Sequence, residues 1–221
     1  MKSIDSAYVI FAAIYASLVV ASNLIFQKFL FISVTEEINF SVSAGLLVFP
    51  ATFLITDIIS EIYGKKLANL VVWSGFIGFL FVTLVVKLAI HLPAEDWSPV
   101  KDEDFSKVFG FVDIAYFSSL LSSLIAQFLD IHIFHYIGDK TKGKHLWLRN
   151  NVSTFISQFI DSFLVISILV FFNVISMEVS AKLFLNSYMY KFLFALADTP
   201  FIYLFVILMR AKVSSARKYQ N

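Results

Sequence analysis

The stretch that decides the fold runs from Leu148 to Phe172 and reads LRNNVSTFISQFIDSFLVISILVFF. It is long and apolar enough to cross a bilayer as a helix, which takes about 20 residues. Asp161 nevertheless lies about half-way along it, near the expected midplane. A carboxylate at that depth costs a few kcal/mol or more unless partners or a water-filled cavity receive it. The stretch therefore predicts a membrane-spanning helix with one face turned towards a polar interior.

Six stretches of the chain, this one included, have the length and apolar character of membrane spans. Their predicted limits are about 7–31, 43–63, 67–91, 111–136, 148–172 and 183–209. The apolar runs are unbroken and lack the alternation of barrel strands, which favours helices. The sequence thus predicts an all-α integral membrane protein with six transmembrane helices around a polar central cavity. We expect a single polytopic membrane domain over residues 1–221.

Charged residues alternate in sign along the connections between these spans. The basic connections and tail carry Lys2, Lys65, Lys66, Lys140, Lys142, Lys144, Arg149, Arg210, Lys212, Arg217 and Lys218. The opposite connections carry Glu36, Glu37, Glu95, Asp96, Asp102, Glu103, Asp104 and Glu178. Because Lys and Arg mark the cytoplasmic side, we expect both termini to be cytoplasmic. We also expect the first helix to be retained rather than cleaved as a signal peptide. The longest connection, residues 92–107, is expected to be a solvated linker, or alternatively a cap over the outer face.

The composition argues against several other classes of protein. Charged residues make up 15% of the chain, against about 25% in soluble domains. The net charge of +1 argues against a nucleic-acid partner, and the absence of cysteine excludes disulfides and thiolate sites. No hydrolase, metalloprotease or nucleotide-binding motif is present, and His132 and His135 are interpreted as interfacial rather than as metal ligands. We therefore expect no enzyme, no metal site and no cofactor.

Acidic residues inside the predicted spans indicate a polar site within the bilayer. They are Asp57, Glu61, Asp130, Asp161 and Asp198. Asp57, Glu61 and Asp130 lie nearer the cytoplasmic ends of their helices and could form a gate. The alternative is that Asp57 or Glu61 caps a helix end or contacts interfacial water. Lys191 shares a face of the last helix with Asp198, so the two are expected to pair, unless Lys191 snorkels to the surface. Pro200 is expected to bend that helix. Asn23 and Gln27 share a face of the first helix. The positive-inside bias alone accounts for Arg149.

A set of short motifs occurs in order along nearly the whole chain. They are Ser22-Asn23; FPATFLITD from Phe49 to Asp57, continuing to Glu61 and Gly64; QFLDIHIF from Gln127 to Phe134; WLRNN from Trp147 to Asn151; Gln158 with Asp161; and Lys191 with Asp198. Together they resemble the bacterial queuosine-precursor transporter family, the YhhQ-type proteins of the vitamin uptake transporter group. The resemblance implies a six-helix inner-membrane importer of 7-deazaguanine bases, such as preQ0, preQ1 or queuine, that works without an ATPase and serves tRNA queuosine salvage.

The resemblance supplies positions for a substrate site, and chemistry suggests their roles. A 7-deazaguanine presents an N–H and an amino group side by side, which suit carboxylate and amide oxygens. We assign this edge of the base to Asp161 with Gln158. The remaining candidate substrate-binding residues are side chains expected to face the cavity: Asn23, Asp57, Glu61, Gln127, Asp130, Arg149, Asn150, Lys191 and Asp198.

Three classes of function remain to be compared. The first is secondary transport of a planar base across the lipid bilayer by alternating access. The alternative is a substrate-binding membrane subunit of a multi-subunit ATP-driven vitamin or base importer, suggested by the small size and the absent nucleotide motif. A membrane enzyme or scaffold is disfavoured, because the acids lack the Tyr-Asp and Gly-Asp settings of intramembrane proteases. The preferred base, proton coupling and the choice between monomer and homodimer stay open.

Overall fold

A computed structural model describes residues 6–26, 28–33, 39–110 and 114–218 of the chain. Its elements, in chain order, are α1 Ser6–Ile25, β1 Phe29–Ser33, β2 Asn39–Ser43, a 3-10 turn Ala44–Leu47, α2 Phe49–Tyr63, α3 Lys65–Ile90, α4 Asp102–Phe109, α5 Ile114–Lys140, α6 Leu146–Phe171 and α7 Met177–Lys218. Lys2, Gln27, Glu36, Glu37 and the predicted start of the fourth span at residue 111 lie outside the described residues.

Six helical segments of the described chain are long and apolar enough to cross a membrane, which confirms the predicted all-α class. They are Ser6–Ile25, Ala44–Tyr63, Lys65–Ile90, Phe117–Lys140, Leu146–Phe171 and Met177–Arg210. Successive spans run in opposite directions. The turn at residue 64 between α2 and α3 and the loop 141–145 between α5 and α6 therefore lie at the same end of the bundle as Arg210. We call this the lysine-rich end, because Lys65, Lys66, Lys140, Lys142 and Lys144 lie there. The opposite end, which carries α4, is called the acidic end.

The first span is shorter than predicted because a β-hairpin follows it. The predicted limit was residue 31, whereas α1 ends at Ile25. β1 then pairs with β2 in antiparallel register, from Phe29 opposite Ser43 to Ser33 opposite Asn39. Ser43 fixes the exit from this hairpin, since its hydroxyl donates to the Phe26 carbonyl and accepts from the Gly45 N–H at 3.2 Å.

Gly45 allows the turn before α2 to pack directly on α1. A Cβ at this position would lie 2.4 Å from the Ser22 carbonyl oxygen, which no side chain tolerates. The close approach holds the second half of α1 against the beginning of α2. Pro50, in the first turn of α2, lacks only an N–H that would be unpaired there in any case.

The connection predicted as a solvated linker, residues 92–107, contains the beginning of helix α4. Three acidic residues occupy the first turn of α4, where the helix dipole favours negative charge: Asp102, Glu103 and Asp104. Lys107 Nζ lies 2.7 Å from Glu103 Oε1, and both side chains are exposed. This helix contacts α3 and has no buried residue, so it adds little to the core.

The membrane helices turn their polar faces inwards. Eight buried polar residues recur along α6 in pairs four apart, which places them on one face: Arg149, Asn150, Ser153, Thr154, Ser157, Gln158, Asp161 and Ser162. Large apolar side chains such as Phe159, Phe163 and Phe171 are exposed on the other side. This arrangement suits a bundle with lipid outside and polar groups inside.

Helix α2 is the central element of the bundle. It contacts α1, α3, α5 and α7, and its residues from Ile55 to Ser60 are all buried. Ile58 belongs to one apolar cluster with Phe134 and Ile202, and Ile59 belongs to another with Tyr15 and Ile131. Polar residues of α2 also reach three other helices: Thr56 contacts Gln127 of α5, and Glu61 binds arginines of α6 and α7.

Candidate functional site

An ion cluster joins three helices near the lysine-rich end. Arg149 Nη2 lies 2.7 Å from Glu61 Oε2, and Arg210 binds the other oxygen of Glu61. Glu61 and Arg149 are enclosed, whereas Arg210 is exposed. The Arg149 guanidinium also lies 4.9 Å from the centre of the Phe134 ring. The interpretation of Arg149 as a positive-inside residue alone is thus wrong, because its charge connects α6 to α2 in the interior.

A group of three carboxyls, which we call the acid layer, lies one helical turn further into the bundle. It consists of Asp57, Asp130 and Asp198. Asp57 and Asp130 are buried, and their carboxyls lie within hydrogen-bonding reach of each other. Ser157 Oγ donates to Asp130 Oδ1 at 3.0 Å. Asn150 Nδ2 donates to Asp198 Oδ1 at 3.1 Å, so the acid layer spans α2, α5, α6 and α7.

Lys191 pairs with Asp161, not with Asp198. The two side chains are 5% and 4% exposed, and Lys191 Nζ also donates to Ser162 Oγ at 3.1 Å. The predicted pairing with Asp198 is therefore wrong, as is the alternative that Lys191 snorkels outwards. Among the described residues, Asp161 Oδ1 and Gln158 Oε1 remain buried without a hydrogen-bond donor. The assigned edge-reading pair thus keeps two unused acceptor atoms, both on α6.

A cleft of about 350 Å³ lies between α1, α2, α3 and α5. We call it the central cleft, and its lining residues are Tyr15, Val19, Ser22, Asn23, Phe49, Thr52, Val72, Phe76, Leu120, Ser123, Leu124 and Gln127. This volume includes space open to solvent, and the part that the centre of a water molecule can reach is about 20 Å³, so a base would have to widen the cleft to reach the size of about 300–1,000 Å³ found in small-molecule sites. Aromatic and aliphatic walls with a few polar groups are typical of such sites.

Two amide side chains supply most of the hydrogen-bonding capacity of the central cleft. Gln127 is held by α2: its Nε2 donates to Thr52 Oγ1 at 2.9 Å, and its Oε1 accepts from Thr56 Oγ1 at 3.1 Å. Asn23 Nδ2 donates to the Val19 carbonyl at 2.8 Å. These contacts fix the orientation of both amides, so they are preorganised to meet a polar ligand.

Phe49 links the central cleft to the Lys191–Asp161 ion pair. Its ring lines the cleft, and Lys191 Nζ lies 5.2 Å from the centre of that ring. The hydroxyl of Thr52 donates to the Phe49 carbonyl at 2.6 Å. The first turn of α2 therefore separates an aromatic cleft from a buried ion pair.

The predicted site residues fall into distinct groups rather than one site. Asn23 and Gln127 line the central cleft, and Asp161 with Lys191 forms the ion pair beyond Phe49. Asp57, Asp130, Asp198 and Asn150 make up or contact the acid layer, whereas Glu61 and Arg149 belong to the ion cluster. Sequence reasoning did not single out the cleft residues Tyr15, Phe49 and Thr52. Their signal was available in part, because Phe49 and Thr52 belong to the motif FPATFLITD.

Comparison with known proteins shows the family of this chain. A family model described as "Putative vitamin uptake transporter" matches residues 43–205. The chain belongs to this family. The matched region covers α2 to α7 apart from the end of α7, and it includes every candidate site residue except Asn23.

A curated relative gives a narrower comparison. The chain is 28% identical over 174 residues to a Bacillus subtilis (strain 168) protein named "Probable queuosine precursor transporter". The aligned region covers 78% of this chain and 75% of that protein. No solved structure gives a significant match. The predicted resemblance to this group of transporters is confirmed. Together with the six membrane-length helices, it identifies a multi-pass membrane protein of a vitamin uptake transporter family.

Proposed function

We propose that this family member imports 7-deazaguanine precursors of queuosine across the inner membrane. The observation that carries the proposal is the central cleft, which combines aromatic walls with two oriented amides inside the bundle. The name of the Bacillus subtilis relative supports the same class of substrate. The protein acts as a transporter rather than as an enzyme, and it needs no ATPase subunit.

The chemistry of the cleft suits a flat heterocycle. Phe49 and Phe76 offer rings on which a base can stack, and Gln127 and Asn23 offer amide donors and acceptors. Gln127 is already hydrogen-bonded by α2, so a base would engage its remaining donor and lone pair. The central cleft is therefore the proposed first binding position.

The buried acceptors beyond Phe49 provide the proposed second contact. Asp161 Oδ1 and Gln158 Oε1 lack donors among the described residues, and a deazaguanine edge carries an N–H and an amino group that fit two adjacent acceptors. Rotation of the Phe49 side chain would connect the cleft to this pair. Lys191 balances the charge of Asp161 when the site is empty.

The positions of the central cleft and the ion cluster support alternating access. The cleft is lined by the second half of α1 and the first turns of α2, which places it in the half of the bundle nearer the acidic end. The ion cluster of Glu61, Arg149 and Arg210 ties α2, α6 and α7 together at the lysine-rich end. We propose that this conformation faces the acidic end, and that release of the ion cluster opens the cytoplasmic side.

Exchange of labelled base in liposomes tests the transport function directly. Purified protein alone, reconstituted without any ATPase, is expected to exchange external labelled preQ0 for internal unlabelled preQ0 and to show none with adenine. Failure to exchange any deazaguanine would contradict the proposed function. Activity in isolation would exclude the alternative of a subunit that depends on an ATP-driven complex.

A single introduced cysteine tests the access route, because the natural chain contains none. Ser123→Cys in the central cleft should react with a membrane-impermeant thiol reagent added on the acidic side, and saturating base should slow the reaction. Asp104→Cys on the exposed helix α4 serves as the control, because base should not protect it. Reaction of Ser123→Cys only from the lysine-rich side would contradict the proposed conformation.

A further inference from the structure

Two carboxyl groups face each other in the interior, and neither has an ion-pair partner among the described residues. Asp57 of α2 and Asp130 of α5 are 1% and 0% exposed. Their carboxyls lie within hydrogen-bonding reach. Ionised carboxylates are only acceptors, so two of them can hydrogen-bond to each other only when one carries a proton. Close approach of two buried carboxyls therefore favours a proton or another cation between them.

The charged groups around the pair do not balance its charge. Arg149 faces it from α6 but is already bound by Glu61 at 2.7 Å, and Asp198 on α7 adds a further carboxyl. α1 has no charged side chain between Ser6 and Ile25. α3 carries its charges only near its ends, as Lys65, Lys66 and Lys87. If both were ionised, two buried carboxylates would thus have only Arg149, already bound by Glu61, as a nearby cation among the described residues, which is unfavourable.

Hydroxyl donors distinguish the two members of the pair. Ser157 Oγ donates to Asp130 Oδ1 at 3.0 Å, and the hydroxyls of Ser153 and Thr154 lie close to the same carboxyl. Hydrogen bonds to a carboxylate stabilise its charged form. Within the described residues, Asp57 Oδ1 and Asp130 Oδ2 are buried and have no donor at all. This arrangement places the charge on Asp130 and the proton on Asp57.

The pair lies between the central cleft and the ion cluster. Gln127, one turn before Asp130 on α5, lines the cleft and accepts a hydrogen bond from Thr56, the neighbour of Asp57. Glu61 of the ion cluster lies one turn after Asp57 on α2. Loss of the proton would leave two facing negative charges, which repel. α2 and α5 would then separate between the cleft and the ion cluster.

We propose that Asp57 and Asp130 form a proton-binding site whose single exchangeable proton couples import of the base to the proton gradient. The proposal rests on the proposed function, since it concerns how the same transporter is driven. The proton enters with the base while the cleft faces the acidic end, and it leaves when the ion cluster opens. The site is built from two helices that contact each other, so the proton can act directly on their packing.

Two liposome assays separate this proposal from the transport function. Both use preQ0, which is uncharged, with the membrane potential clamped at zero. Exchange without gradients tests transport alone. Accumulation under an interior-alkaline gradient of about one pH unit tests coupling, and one proton per base predicts about tenfold accumulation. Exchange without accumulation would overturn the coupling and leave the transporter standing, whereas no exchange would overturn the function itself.

Matched asparagine variants assign the proton to the pair. Asp57→Asn should lose the tenfold accumulation, and its exchange rate should no longer vary with pH. Asp104→Asn makes the same chemical change on the exposed helix α4, and it should keep both properties. If Asp57→Asn still accumulates base as the natural protein does, the assignment is wrong. Accumulation driven by a sodium gradient instead of a proton gradient would overturn the identity of the ion.

Infrared spectroscopy provides a readout that needs neither substrate nor a stable variant. The natural protein in membranes at neutral pH should show the absorption of a protonated, buried carboxylic acid. Where Asp57→Asn folds, the variant should lose that absorption. Its absence from the natural protein would overturn the shared proton whatever the variant does.

Discussion

Replacement of Lys191 by methionine tests whether the Asp161 ion pair is an essential part of the interior. Both side chains are almost fully enclosed, and Lys191 also donates to Ser162 and lies over the Phe49 ring. Two unit charges about 4 Å apart attract by about 4 kcal/mol at an effective dielectric constant of about 20. Removal of one partner of a buried pair typically costs about 3–5 kcal/mol, because the other charge stays unpaired. We expect Lys191→Met to lower the free energy of unfolding by that amount.

The double variant Asp161→Asn with Lys191→Met isolates the interaction itself. It removes both charges and nearly preserves the volumes, so the free energy of unfolding should return to within about 1–2 kcal/mol of the natural value. The assay is reversible unfolding of the purified protein in mixed detergent micelles. Lys107→Met is the matched control, because its pair with Glu103 is exposed and worth about 0–1 kcal/mol.

Two outcomes would contradict this account of the ion pair. If Lys191→Met costs no more than Lys107→Met, the interior around Asp161 is hydrated and does not confine the charge. If the effects of Asp161→Asn and Lys191→Met simply add in the double variant, the two side chains do not interact. Base binding supplies a second readout: the double variant should bind preQ0 more weakly than the natural protein, because Asn offers one neutral acceptor and a donor in place of the two charged acceptors of Asp161.

Three further substitutions test other parts of the site. Gln127→Leu removes an amide from the central cleft and should weaken preQ0 binding by about 1–3 kcal/mol, measured by calorimetry; an unchanged Kd would place the amide outside the contacts of the base. Gly75→Val should destabilise the protein by about 1–3 kcal/mol in thermal unfolding, because a Cβ there would lie 2.5 Å from the Tyr15 ring. Gly78→Val is its control, since a Cβ at that position meets nothing within 4 Å, and equal losses would refute the steric argument. Arg149→Gln should cost up to about 3–5 kcal/mol and abolish exchange, and full exchange would exclude the ion cluster from the transport cycle.

The span count could be predicted because hydropathy and length are local properties. The end of the first span could not, since the apolar run Phe29 to Ile32 resumes after only two polar residues, Gln27 and Lys28. An apolar run of this length fits a strand as well as a helix. Non-local contacts decide between strand and helix. The Ser43 hydroxyl donates to the Phe26 carbonyl, and Gly45 packs against Ser22. Hydropathy along one segment carries no information about such contacts.

Buried polar residues could be found from depth alone, but their partners could not. Helical periodicity correctly places Lys191 and Asp198 on one face of α7, yet it says nothing about which residue of α6 lies opposite each. The packing of α6 against α7 sets Asp161 opposite Lys191 and Asn150 opposite Asp198. The role of Phe49 was hidden for a related reason. An aromatic residue among 26 phenylalanines looks like packing until the structure places it between the cleft and an ion pair.

Helix α2 carries a residue of each functional layer, which constrains how the protein can work. Thr52 faces the cleft, Asp57 belongs to the acid layer and Glu61 to the ion cluster, so the three layers succeed one another at intervals of about one turn. α2 has only 15 residues, about 22 Å of helix, and Gly64 with φ of 90° ends it at the turn to α3. A shift of this short helix would displace all three layers together. In the proposed transport cycle, substrate occupancy, proton occupancy and closure of the lysine-rich end would therefore be linked through this one helix, without a separate relay between them.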